Sequence, residues 1–209
     1  MIFLRMVTMG IKKMKKITNI KNKLIFLGIF SQVAFLFYGF LASEYGYYFE
    51  NFLTIFLIIL LDLKWDKMKI NNWTFGLVLT FFSLHASGIF GFYNLSPFPI
   101  PFDWILHFFG MFTLSIVLLN WLGTNAVTCS LVILAVLGVG SLIETTEYIG
   151  YLGLGEGEGL LFYGSGDIDD INYVGGGWIN TMVDLIFNTL GALIGLFVFL
   201  LTRLDVVKE

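Results

Sequence analysis

The sequence predicts an all-α, polytopic transmembrane helix bundle of about six spans, and three observations carry that prediction. The chain of 209 residues is 57% hydrophobic and only 13% charged, about half the charge of an average soluble domain. Its mean hydropathy is +0.85, and it holds 23 Phe, 9 Tyr and 5 Trp, more apolar surface than one core hides from water. Finally, all 12 basic residues fall in three groups, and each two neighbouring groups are separated by an even number of apolar windows. Disorder and collagen-like repetition are excluded by the same composition. The single cysteine, Cys129, cannot form an internal disulfide.

A bilayer core of about 30 Å needs roughly 20 apolar helical residues. Windows meeting or approaching that length lie near 24–42, 47–63, 73–93, 102–122, 126–149 and 179–202. The first follows a basic segment, 1–23. It reads as an uncleaved signal-anchor, because Phe40 and Leu41 stand where a peptidase needs small residues near Ala42. The second is the weakest, since its apolar run from Phe52 to Leu61 is short and Glu50 sits in its first turn. Charge placement supports it nonetheless. Seven Lys and Arg precede residue 24, three lie between windows two and three (Lys64, Lys67, Lys69), and two follow window six (Arg203, Lys208). Six spans put all of them on one face, and the positive-inside rule makes that face, with both termini and the tail 203–209, cytoplasmic. Eleven of the 15 acids then fall at or near the outer face.

Two outer loops follow from this topology. Residues 96–101 hold all three prolines, Pro97, Pro99 and Pro101, which stiffen the entry to window four. Residues 150–178 hold ten glycines and five acids but no base. Loops of that length without structure of their own are functional or linkers. Within it, Asp167, Asp169 and Asp170 invite a calcium reading, but Ile171 and Asn172 stand where the EF-hand needs an oxygen ligand and a turn glycine, so cation attraction and a solvated turn are the alternatives.

Ionisable groups inside a span are costly, about 2.5 to 3.5 kcal/mol each at the centre, so they mark functional sites by default. Here they cluster. Asp103 and His107 are four apart at the start of window four, Glu144 and Glu147 three apart at the end of window five, and Asp184 and Asn188 four apart early in window six. Each pair shares a helix face. All three fall within about two turns, roughly 10 Å, of the outer boundary. Four carboxylates at one depth with no Lys or Arg on that side need a positive partner: a metal ion, shared protons or a cationic ligand. His85, in window three, is a further candidate member, with a buried hydrogen-bonded role as the alternative. Each member also has a simpler reading: Asp103 as a helix N-cap, Glu147 as a group reaching the headgroups, Asn188 with Gly191 and Gly195 as helix-packing residues. No HExxH pair, phosphate loop, nucleophile elbow or nucleic-acid motif is present.

The run Asp103-x-x-x-His107-Phe108-x-Gly110, the glutamate closing the next span, Gly166-Asp167-x-x-Asp170 and Asp184-x-x-x-Asn188-x-x-Gly191 resemble the YjdF-like group of small multi-pass membrane proteins, and more distantly the VanZ-like family. The likeness covers about residues 97–200. It implies a prokaryotic cytoplasmic membrane and Asp103, His107, Glu144, Asp184 and Asn188 as motif residues. Thr145, Thr146 and Glu147 depart from the VanZ-like pattern, as does the lack of an arginine before Asp184.

The leading expectation is a cluster that binds a divalent cation and, with it, an envelope small molecule or lipid-derived ligand. His107, Glu144 and Asp184 are the expected metal or catalytic groups of a hydrolytic site, with Asp103, Glu147, Asn188, Asp167 and Asp170 as ligand-binding residues. Two other classes stay open: a proton- or cation-coupled transporter, and a non-catalytic scaffold in which the cluster holds three helices together. Asn120 and Thr128 are the only polar candidates toward the inner ends of windows four and five.

Overall fold

The computed structural model describes residues 2–154 and 176–206. Its regular elements there are helical: α1 Ile2–Ala42, α2 Tyr48–Leu63, α3 Asn72–Ala86, α4 Phe102–Leu122, α5 Ala126–Leu154 and α6 Gly176–Val206. Five contain stretches long and apolar enough to cross a membrane: Ile20–Ala42, Asn72–Phe90, Phe102–Leu122, Ala126–Gly153 and Gly177–Arg203. The element that falls short is α2. Its 16 residues extend about 24 Å, because Tyr47 at one end and Lys64 at the other bound the helix. Even so, α2 reaches both ends of the bundle: Glu50 meets His85 of α3 at 3.3 Å, while Asp62 meets Lys21 of α1 at 2.6 Å.

Local chemistry sets the boundaries. Asn71 caps α3 by accepting from the Thr74 N–H at 2.8 Å, and Asn125 caps α5 by accepting from the Thr128 N–H at 2.9 Å. The apolar run of α3 tightens into a 3-10 turn, Ser87–Phe90, which ends on Gly91 at φ +80°. That left-handed position suits glycine alone without strain. In the proline loop the Ser96 hydroxyl donates to the Ile100 carbonyl at 2.6 Å. The loop delivers Phe102, fully buried, among the rings of Phe92, Tyr93 and Phe98. This aromatic plug fixes where α4 begins, and with it the height of Asp103 and His107.

Packing is densest between α4 and α6. Gly191 lies on the Phe108 backbone carbonyl, and one turn on Gly195 lies on the backbone of Phe112 and the side chain of Ser115. Small residues at four-residue spacing let two helix backbones approach this closely in lipid, where packing and not the hydrophobic effect drives association. Trp104 stacks on Phe187 across the same seam, ring centres 5.1 Å apart. Below it, Leu119, Val132, Val136, Ala192 and Phe199 form the core shared by α4, α5 and α6. A second core joins α1, α2 and α3 around Ile58, Trp65 and Phe75. The bundle therefore has a basic end, with Lys21, Lys64 and Lys67, and an opposite end holding Glu50, Asp103, Glu144, Glu147 and Asp184.

Candidate functional site

Helix spacing brings Asp103 and His107 to one face of α4. Their separation is 3.3 Å between His107 Nε2 and Asp103 Oδ1. The same Nε2 lies 3.6 Å from Glu144 Oε1 of α5. On its other side the ring meets α6, with His107 Nδ1 3.1 Å from Asn188 Oδ1. Asp184, one turn before Asn188, completes the set: a ligand atom from each of Asp103, His107 and Asp184 falls within 4.8 Å of the others. The Thr181 hydroxyl donates to Glu144. Asp184 and Asn188 are fully buried, and His107 and Glu144 nearly so.

With its amide oxygen toward the ring, Asn188 accepts from a protonated His107 Nδ1; turned over, the amide would donate to that nitrogen. Nε2 faces two carboxylate oxygens, an arrangement that is favourable only with positive charge between them or on the ring. A proton on Nε2 would supply it, and so would a metal ion. Two ligand atoms about 2.1 Å from a tetrahedral metal stand about 3.4 Å apart, between the 3.3 and 3.6 Å distances found here. Asn188 holding the far nitrogen is the outer-shell arrangement that orients metal-bound histidines.

Of the residues predicted for the site, Asp103, His107, Glu144, Asp184 and Asn188 converge. Glu147 is buried beside them and, with His85, Asp103 and His107, lines a cavity of about 30 Å³, room for about two water molecules. Asp167 and Asp170 lie outside the described residues. Two of the simpler readings are corrected. Asp103 is not the N-cap of α4, a position taken by Pro101 with no side-chain cap; it sits inside the first turn and points at His107. Glu147 does not reach outward, since only 7% of it is exposed.

Two participants escape sequence reasoning. Glu50, nearly buried, pairs with His85 at 3.3 Å. Its weak helix and end position gave no hint that it faces inward, although the two members occupy corresponding depths at the same end of α2 and α3. Gly140 of α5 is the other. A Cβ there would stand 2.7 Å from Asn188 Nδ2, so Gly140 is the floor on which the Asn188 amide rests. Replacing Gly140 by alanine is expected to lower stability by about 1 to 3 kcal/mol through overpacking. Thermal unfolding in detergent measures it.

No curated protein and no solved structure matches the chain. A family model described as "Predicted membrane protein (DUF2238)" matches residues 23–205, a span that takes in every apolar helix and the whole polar cluster, and the chain therefore belongs to this membrane protein family.

Proposed function

We propose that the cluster of Asp103, His107, Glu144 and Asp184 binds a divalent cation at the outer face of a prokaryotic cytoplasmic membrane, as a YjdF-like protein, and uses it to hold an envelope or lipid-derived ligand. The observation that carries this reading is His107 Nε2 aimed between Asp103 and Glu144 at metal-ligand spacing, with Asp184 beside them. One imidazole with several carboxylates suits zinc, manganese or ferrous iron better than magnesium, which prefers oxygen and water alone. A cation so held with one open position would polarise a bound ester or phosphoryl group and lower the pKa of a bound water. Glu144, anchored by Thr181, is then the base for a hydrolytic step.

Transport is the weaker reading. A coupled transporter needs titratable groups along a path, yet among the described residues the buried acids and His107 all belong to the cluster end, with Glu50 beside His85. Toward the basic end the Asn120 amide is satisfied by Thr74 and by the Ile116 carbonyl, which fits a helix-joining role.

Metal analysis of protein purified without chelators is expected to return about one divalent transition ion per chain. Chelation should lower the unfolding temperature, and adding the ion back should restore it. Asn188→Ala is expected to weaken the ion about 10- to 100-fold, the usual effect of losing a histidine's outer-shell partner. A protein with no stoichiometric ion, and an unfolding temperature indifferent to chelator, overturns the proposal.

A further inference from the structure

At the α2 side of the bundle the helices do not close. α2 packs on α1 and α3 but stands away from α4 and α5, and the space between is a crevice of about 590 Å³, within the usual range for small-molecule sites. One face of α2 lines it from Glu50 through Leu53, Leu57 and Leu60 to Lys64, a length of about 21 Å. Val117 and Trp121 of α4 lie among the residues opposite. The crevice is thus long, narrow and apolar along its length, with its two ends chemically different.

At one end stands the Glu50–His85 pair, next to the acids of the cluster. A phosphate there would face carboxylates. The other end opens between Lys64 and Lys67, both exposed, and neither makes an ion pair among the described residues, whereas Lys21 nearby is held by Asp62. The depth is right as well: the crevice exceeds the roughly 15 Å that one leaflet contributes to the hydrocarbon core. A space of this size at hydrocarbon depth is filled by what surrounds it, because unfilled walls forgo their dispersion contacts. What surrounds it is lipid.

We infer that the crevice between α2 and α4–α5 is a binding site for one anionic phospholipid, with its phosphate at Lys64 and Lys67 and one acyl chain running between α2 and α4 toward the Glu50–His85 pair. The crevice shares His85 and Gly110 with the small cavity beside the cluster, but its headgroup end at Lys64 and Lys67 lies at the opposite end from the cation site. The lipid replaces the missing helix contact and fixes the distance of α2, hence of Glu50, from the rest of the bundle.

The test uses the full chain reconstituted in vesicles doped with phosphatidylglycerol or phosphatidylcholine carrying a photoreactive diazirine on one acyl chain, with labelled residues mapped by mass spectrometry. Phosphatidylglycerol is expected to label Leu57, Leu60 or Val117, and phosphatidylcholine to label them far less. Lys64→Gln with Lys67→Gln is expected to lower that labelling roughly thirty-fold, equivalent to about 1 kcal/mol for each lysine. Leu57→Trp, which narrows the crevice at mid-length, should lower crevice labelling while circular dichroism shows the helices intact. Equal crevice labelling by the two lipids overturns the headgroup assignment. Labelling confined to outward-facing Phe52 and Phe56 overturns the site.

Discussion

Replacing Gly191 by alanine is expected to disrupt the bundle more than any other single-methyl change. A Cβ at that position would run into the Phe108 backbone carbonyl, and its next neighbours are the Phe108 carbonyl carbon and Cα, all main chain. A side chain could swing aside; a helix backbone cannot. α4 and α6 must therefore separate, and the shift propagates to the Gly195–Phe112 approach, the Trp104–Phe187 stack and the His107–Asn188 contact. Overpacking usually costs 1 to 3 kcal/mol, and with main chain on both sides the cost here is expected at or above about 3 kcal/mol. Gly138→Ala is the control: a Cβ there meets nothing within 4 Å, so the change should be neutral or slightly stabilising through helix propensity. Unfolding of both variants in detergent, followed by circular dichroism, checks the contrast. Equal behaviour of the two would mean that the seam is not a determinant of the fold.

The seam also shows what could be read from the sequence and what could not. The apolar windows located the six helices, because lipid demands length and hydropathy and both are one-dimensional properties, but window 73–93 overruns α3, which ends at Ala86 and tightens into the 3-10 turn Ser87–Phe90. Window 102–122 and α4 coincide; 126–149 and 179–202 are shorter than α5 and α6, which run on to Leu154 and from Gly176 to Val206. The basic segment before residue 24 is likewise part of α1, since lysines are good helix formers once a span has nucleated the helix. Asp103, His107, Glu144, Asp184 and Asn188 were legible as one site because charge in a span is rare and three helices carried it at one depth. Partners were not legible. Nothing in the neighbourhood of Gly140 in sequence says that an asparagine 48 positions later rests on it, and nothing around Glu50 says that its carboxylate turns toward His85. Those are facts of helix rotation and interhelix distance, set by Gly191, Gly110 and their opposing backbones and rings, and they appear only when the helices are put together.

His107→Ala is expected to abolish cation binding and, by a different route, to weaken the fold. The substitution removes the one nitrogen ligand and leaves Asp103, Glu144 and Asp184 facing one another in a buried space. Removing one partner from a buried charged set costs about 3 to 5 kcal/mol, because what remains is uncompensated. The same reasoning fixes the rescue: neutralising the acids with Asp103→Asn and Asp184→Asn in the His107→Ala background should return most of the stability, since the residual repulsion is gone, but none of the cation. A double-mutant cycle between His107 and Asp103 reads the coupling directly. The cycle separates the two roles the cluster can have. If it only joins α4, α5 and α6, stability and its rescue are all that change, and wild-type protein is indifferent to chelator. If it holds an ion, chelator lowers the unfolding temperature of the wild type toward that of His107→Ala and leaves the neutralised triple variant untouched. The second pattern is expected, because Asn188 engages Nδ1 and Nε2 lies between two carboxylates at metal-ligand spacing.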